Sequence, residues 1–240
     1  MKKIFIILLV ATCINTVRAQ VNLNKALNKA SNVINNNSNT NLTNEEVVKG
    51  LKEALTVGTN KSTASASGKD GFFKNPKIKI PFPPEAVRVK NTVENLGMKP
   101  QVDKFVLTLN RAAEEASKEA APIFINAVKS MTVSDGFSIL KGADNAATSY
   151  LNNKTSAELR QKFKPIVQKA IQKVEVTKYW KPIITRYNKI PGTNEVNPDL
   201  EEYVTLKAIE GLFTLLAEEE LKIRKDPAAR ITDLLKKVFG

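Results

Sequence analysis

The amino-acid sequence predicts an all-α fold: a single multi-helix domain with one short extended, Pro-containing arm. The main observation is the stretch 102–131, whose apolar residues recur at steps of three and four and therefore line one face of a helix. Two capping boxes, at 43–46 and 155–158, have the Thr-x-x-Glu spacing that is typical of helix starts. Polar and apolar residues alternate in the stretch 77–84, where prolines interrupt the pattern, so we expect an extended arm or a short edge strand there.

The N-terminal residues 1–19 have the features of a signal peptide. Lys2 and Lys3 precede an apolar run of residues 4–14, and the small-residue pattern 17–19 ends at Ala19. Because a bilayer span needs about 20 apolar residues, we expect this run to be cleaved off rather than to anchor the chain. A lipoprotein site at Cys13 is the alternative, although Thr12 suits it poorly. Either way, the expected localisation is exported, periplasmic or secreted.

The next segment, 20–44, is an Asn-rich tail with few aliphatic residues. Such a composition buries too little apolar surface to offset the entropy of ordering, so we expect the tail to be flexible. The helical domain then covers 45–240, and nothing in the sequence marks a second domain.

Within the domain, the first helix begins at the first capping box. Pro84 suits the first turn of a second helix that ends at Gly97, with Val89, Val93 and Leu96 facing inward. Pro122 should kink the long stretch 102–131 or split it near Ala120, and we expect the other helices to pack around this stretch.

The C-terminal half contains further helix starts. The sequence 132–135 begins a short helix that Gly142 ends, Asp144 begins another that reaches Leu151, and the capping box at 155–158 begins a separate one. A helix with Pro182 in its early turn follows. Asn and Pro at 197–198 begin the last long helix, and Asp226 begins a final one.

Composition excludes several kinds of chemistry. The chain has no His, and if its one Cys leaves with the signal peptide the mature chain has no Cys either, which excludes disulfides, thiolate catalysis, His general bases and zinc sites built from His or Cys. We expect no cofactor. The formal net charge of +13 favours anionic partners, and for an exported chain these are lipid or envelope polymer rather than nucleic acid. Plain solubility is the alternative explanation, and oligomeric state is left open.

Several stretches together resemble one family. The match is closest in the C-terminal run from Tyr203 to Gly240, and further matching stretches are 50–55, 78–81, 109–114, 142–150 and 163–167. They resemble a bacterial family catalogued as domain of unknown function number 4197. The resemblance covers roughly 45–240 and implies an exported, mainly helical bacterial domain. It implies no activity and no site residues.

A basic segment, residues 160–189, interleaves cations with aromatic residues, which favours a membrane interface or an anionic polymer. The anion- or membrane-contact candidates are Lys164, Lys169, Lys173, Lys178, Tyr179, Trp180, Lys181 and Arg186. The alternative is that the segment faces the acid-rich stretch 199–220 of the last long helix. Its cations would then pair with Glu201, Glu202, Glu210 and Glu218.

Two acidic runs, 114–119 and 218–220, could supply the paired carboxylates of a hydrolase. The polar cluster candidates are Asn110, Arg111, Glu114 and Glu218. The alternative is that these carboxylates pair with Arg111, Lys118 and Arg224 on solvated helix faces. Helical di-iron sites are excluded because they require His.

Apolar helices with several prolines could also enclose a cavity for an apolar ligand. The function that we predict is therefore an exported bacterial envelope protein with a non-catalytic binding or structural role, with anionic lipid or polymer as its expected contact. A carrier of an apolar ligand in a helical cavity is the alternative, and a carboxylate-dependent hydrolase is the third.

Overall fold

The computed structural model describes residues 43–173, 175–178, 180–189, 191–192, 195–197, 199–226, 236 and 238 of the 240-residue chain. The signal peptide, the alternative lipidation site at Cys13 and the tail as far as residue 42 lie outside the described residues. So do the candidate Tyr179 and almost all of the helix expected after Asp226.

The described residues form helices and contain no strand, which confirms the all-α prediction. None of these helices is both long enough and apolar enough to cross a membrane. In chain order they are α1 (Asn44–Ser67), α2 (Val87–Asn95, after a 3-10 turn at Pro84–Ala86), α3 (Lys99–Ser117), α4 (Ala120–Lys129), α5 (Val133–Lys141), α6 (Ala146–Gln172), α7 (Glu175–Lys178), α8 (Trp180–Tyr187) and α9 (Leu200–Lys225).

The core lies where α3, α6 and α9 meet. α9 packs along α6, and α3 and α1 pack against α9. Leu109, Ala113 and Ala116 of α3 are fully buried, and their small size lets the neighbouring helices approach closely. The stretch 102–131 is therefore central, as predicted, but it shares that position with α6 and α9.

Proline splits the long apolar stretch where the sequence predicts. α3 ends at Ser117 and α4 begins at Ala120, so that Pro122 occupies the first turn of α4. At that position the missing N–H removes no helical hydrogen bond. The capping box of Thr43 with Glu46 at the start of α1 is also present, with both of its reciprocal bonds.

The expectation of two helices between Asp144 and residue 174 is wrong, because α6 runs through Thr155 without a break. Thr155 is buried in the middle of α6, and its hydroxyl donates to the carbonyl of Leu151 at 2.7 Å. No Gly or Pro interrupts residues 152–154, so the capping-box pattern alone does not start a helix there.

Residues 70–83 cross the helices as irregular chain. They include most of the arm expected at 77–84 and the turn before it, and we call this whole stretch the arm. Ile78 and Ile80 are buried, as their alternation predicts, and Phe72 is fully buried against α9. A Cβ at Gly211 would lie 2.6 Å from the Phe72 ring, so only glycine allows this approach. The arm thus lies on the body with its apolar side inward.

Helix α2 follows the arm and packs against α3 and its own 3-10 turn. No residue of α2 is fully buried, and Val89 and Val93 are half-buried. Leu96 was expected to face inward, but it is 73% exposed. It lies beside Gly97, whose φ of +80° turns the chain away from the core into α3.

Candidate functional site

Asn110 binds the backbone of the arm. Its side chain is fully buried; the amide oxygen accepts from the N–H of Ile80 and the amide nitrogen donates to the carbonyl of Ile80, both at 2.8 Å. The same nitrogen donates to the carbonyl of Val106, one turn earlier in α3. This amide therefore pairs with a stretch of irregular backbone that has no sheet or helix to satisfy it.

Glu114 binds the start of the arm, one turn further along α3. Its buried carboxylate accepts from the N–H groups of Phe72 and Phe73, both at 3.2 Å, and from Arg111. Arg111 also bonds Asp70, which has a second cation, Lys74, at 2.9 Å. Lys74 and Arg111 hold the pKa of Asp70 below its ordinary value, and Glu114 and Asp70 raise the pKa of Arg111.

We call Asp70, Asn110, Arg111 and Glu114 the clamp. Three of the four predicted polar cluster candidates come together in it. The fourth, Glu218, instead pairs with Lys77, further along the arm, at 2.6 Å. No hydrogen bond or ion pair joins Glu218 to the clamp within the described part of the chain. Asp70 was not among the sequence candidates. The structure identifies it by its positive φ of 68° and by its ion pairs with Arg111 and Lys74.

Three of the four remaining acids of the two runs also have partners among the described residues. Glu115 bonds Lys118, and Glu219 bonds Lys61 and Lys222. Glu220 binds Arg224 and accepts from the N–H groups of Ala147 and Thr148, which caps α6 from a distant helix. The pairing alternative therefore describes these carboxylates. Among the described residues, no group of His, Cys, Asp and Glu could hold a metal ion.

The basic segment has two different ends. At the first end, Arg160 bonds Glu202 at 2.6 Å, and Lys164 lies 3.4 Å from both Glu202 and Asp199. Glu202 and Asp199 raise the pKa of Lys164. Pairing with α9 is thus present here, but among the described residues Glu202 alone of the four proposed acids takes part; Glu210 bonds Lys207 in its own helix.

At the other end, Lys169 and Lys173 of α6, Lys178 of α7 and Lys181 of α8 are all exposed. Within the part of the chain that the structure describes, none of the four forms an ion pair. Lys162 is also exposed and lies on the same face of α6 as Lys169 and Lys173, because residues at i, i+7 and i+11 share one helix face. Sequence reasoning omitted Lys162, although this spacing signals it. We call these five residues the lysine face. The Arg186 side chain lies outside the described residues.

Trp180 does not belong to the lysine face, which corrects its prediction as a surface ring. It is 6% exposed, with its ring centroid 5.3 Å from Phe105 and 5.6 Å from Phe82. The arm and α3 supply these two rings, so long-range packing determines the position of Trp180. Within the described part of the chain, its buried Nε1–H has no hydrogen-bond acceptor.

Two grooves lie on either side of Trp180. The apolar groove, about 230 Å³, lies between the arm, α2, α3 and α8 and is lined by Phe82, Val89, Val93, Val102, Phe105 and Ile183, with Met98, Gln101 and Lys90. The polar groove, about 430 Å³, lies between the end of α6, α7, α8 and the start of α9, and its charged lining residues are Lys178, Lys181, Asp199 and Glu201. The apolar cavity considered from the sequence is therefore an open groove at the surface.

Comparison with known proteins gives one match. The family model described as "Protein of unknown function (DUF4197)" matches residues 41–240, which include the whole of the expected helical domain, 45–240. No curated protein and no solved structure matches the chain.

Proposed function

The chain belongs to the DUF4197 family of proteins of unknown function, and from that premise we propose that it is a non-catalytic binding protein of the bacterial envelope that attaches to anionic lipid surfaces. The observation that carries the proposal is the lysine face. Its five cations point into solvent without an acidic partner among the described residues, while the nearest acid-rich helix, α9, uses Glu202 and Asp199 on Arg160 and Lys164.

The lysine face suits a charged surface better than a small ligand. Its residues are spread over α6, α7 and α8, and the first three follow one face of α6. A basic residue near an anionic membrane contributes about 1 kcal/mol, so five acting together give useful binding without a deep pocket. The net charge of +13 adds a long-range attraction to the same partners.

The clamp and the other carboxylates give no support to hydrolysis. Glu114 is buried under backbone N–H groups and Arg111, and Glu220 is used in capping α6 and binding Arg224. A general acid or base must reach a substrate proton within hydrogen-bond distance, and both carboxylates are buried and already bonded to backbone N–H groups and an arginine. We therefore do not propose the hydrolase further.

Co-sedimentation with vesicles tests the proposal. The protein should sediment with phosphatidylglycerol vesicles and stay in solution with phosphatidylcholine vesicles. Binding should weaken strongly from 0.1 to 1 M salt, because the Debye length falls from about 10 Å to about 3 Å. Lys169→Glu with Lys173→Glu should lower the affinity by more than tenfold, since two favourable contributions become unfavourable.

The matched control is Lys49→Glu with Lys69→Glu, which changes the net charge equally on exposed residues of α1 and the turn after it. This control should keep most of the affinity. Equal loss in both double variants would mean that net charge rather than the lysine face drives binding. If the protein sediments with an anionic polysaccharide but not with the vesicles, its partner is an anionic polymer and not a lipid surface.

A further inference from the structure

We propose that the apolar groove is a binding site for one molecule of a long-chain fatty acid, with the acyl chain along the groove and the carboxylate at its cationic rim. This goes beyond attachment to a lipid surface, because it assigns a second site, made of different residues, to a single molecule. It rests on the lining, the size and the rim charges of the groove.

The lining is almost wholly apolar and is not closed by the fold. Phe82, Phe105 and Trp180 form an aromatic wall, with centroids 5.0 to 5.6 Å apart. Val89 and Val93 of α2 stay half-buried above it. At the mouth, Met98 is 41% and Ile183 is 43% exposed. A domain of this size normally buries such side chains, and apolar groups gathered around a groove are typical of a binding site.

The size of the groove favours a single chain. At about 230 Å³ it is smaller than the roughly 300–1,000 Å³ of most sites for drug-sized ligands. It therefore has room for part of one acyl chain and none for the two chains of a phospholipid. Since the groove is open, the rest of the chain and the headgroup can extend along the surface.

The charges at the rim favour an acid. Among the described residues that line the groove, Lys90 is the one that is charged, and its contact with Glu94 is long, at 3.8 Å. The Nε1–H of Trp180 is a buried donor that has no acceptor among the described residues, and a ligand carboxylate or an ordered water that reached it would satisfy it. A neutral apolar ligand or an apolar side chain of a partner protein would use the walls but none of these groups.

Trp180 makes the test direct, because it is the single tryptophan of the chain and forms part of the groove wall. We would titrate the full chain with a fatty acid brominated on its chain, below its micelle concentration, and follow tryptophan fluorescence. The proposal requires saturable quenching with one fatty acid per protein. The corresponding brominated alcohol should bind less tightly by about fivefold, the equivalent of one cation near an anionic group. Absence of quenching, or equal affinity for acid and alcohol, would overturn it.

Variants locate the site. Val93→Phe, which fills the groove, and Ile183→Asp, which places a charge at its mouth, should each abolish saturable quenching. Leu206→Asp is the matched control: an exposed leucine of α9 that does not line the groove and whose replacement should change nothing. Circular dichroism of each variant establishes that the fold is kept, and two independent groove variants guard against one that does not fold. Quenching that survives both folded groove variants would place the ligand elsewhere.

Two charge variants complete the test. Lys90→Glu should weaken the fatty acid by at least about fivefold and leave the alcohol unaffected. Lys169→Glu with Lys173→Glu should leave fatty acid binding intact even if it abolishes vesicle binding. The two proposals can therefore fail separately: vesicle binding without quenching refutes the groove, and quenching without vesicle binding refutes the lysine face.

Discussion

The clamp and the lysine face are both rich in charged and polar residues, but the structure uses them in opposite ways. In the clamp, Asn110 and Glu114 bond the backbone of the arm, and Arg111 bonds both Glu114 and Asp70. On the lysine face, five exposed cations have no ion-pair partner among the described residues. The difference indicates that the clamp contributes to folding, whereas the lysine face remains available to a partner.

The largest effect should come from removing the centre of the clamp. Glu114→Ala leaves the N–H groups of Phe72 and Phe73 unpaired and removes one of the two acidic partners of Arg111, so we expect the free energy of unfolding to fall by about 2–4 kcal/mol. Urea denaturation measures this. Glu115→Ala is the neighbouring control, because the Glu115 side chain is exposed and its one ion-pair partner among the described residues is Lys118; it should change stability by less than about 0.5 kcal/mol. Equal losses of stability in the two variants would show that the buried Glu114 contributes no more to folding than the exposed Glu115.

Asn110→Ala should have the next largest effect. It leaves both backbone groups of the buried Ile80 unpaired, and we expect a loss of about 1–3 kcal/mol in urea denaturation. The arm should also become more sensitive to proteolysis. Asn126→Ala, on an exposed position of α4, controls for removing an asparagine from a helix. A protein as stable and as protease-resistant as the parent would show that the arm does not depend on Asn110.

The clamp also predicts a dependence on pH. Lys74 and Arg111 lower the pKa of Asp70, so the folded protein binds fewer protons at Asp70 than the unfolded chain does. The stabilisation is therefore complete above the ordinary value of 3.8 and is lost as the pH falls below it, towards the lowered pKa of the folded state. In Asp70→Asn, stability should depend less on pH across this acid range. Parallel curves of stability against pH for the two proteins would contradict this linkage.

The smallest effect on stability should come from the lysine face. Lys169→Glu with Lys173→Glu should change the free energy of unfolding by no more than about 0.5 kcal/mol, as is usual for exposed residues. Lys164→Glu should lower it by about 0.5–1 kcal/mol, because this half-exposed side chain would face Asp199 and Glu202 with like charge. A larger loss for the double variant than for Lys164→Glu would show that the lysine face has a structural role.

Local patterns predicted much of the fold. The periodicity of 102–131, the split at Pro122 and the cap at Thr43 each depend on neighbouring residues, and each is present. The helix start predicted from the capping box at 155–158 is wrong, because the start of this helix is determined by a distant residue rather than by its local sequence. Thr155 bonds within a continuous helix, and the N-terminus of α6 is capped by Glu220, more than seventy residues away.

The sites were harder to predict for the same reason. The sequence brought Asn110, Arg111 and Glu114 together because they share one stretch of helix, but Asp70 joins them only through the path of the arm. The sequence also grouped Trp180 with the lysines around it. Its burial depends on Phe82 and Phe105, which come from two distant elements, and no local pattern contains that information.

The availability of the lysine face is the central claim, and lysine reactivity tests it most directly. An amine-reactive reagent would be added to the protein with and without phosphatidylglycerol vesicles, and modification at each lysine would be measured by mass spectrometry. We expect vesicles to protect Lys162, Lys169, Lys173, Lys178 and Lys181 and to leave the exposed Lys49 and Lys69 as reactive as before. Protection spread evenly over all exposed lysines, or stronger at Lys49 and Lys69, would contradict the claim.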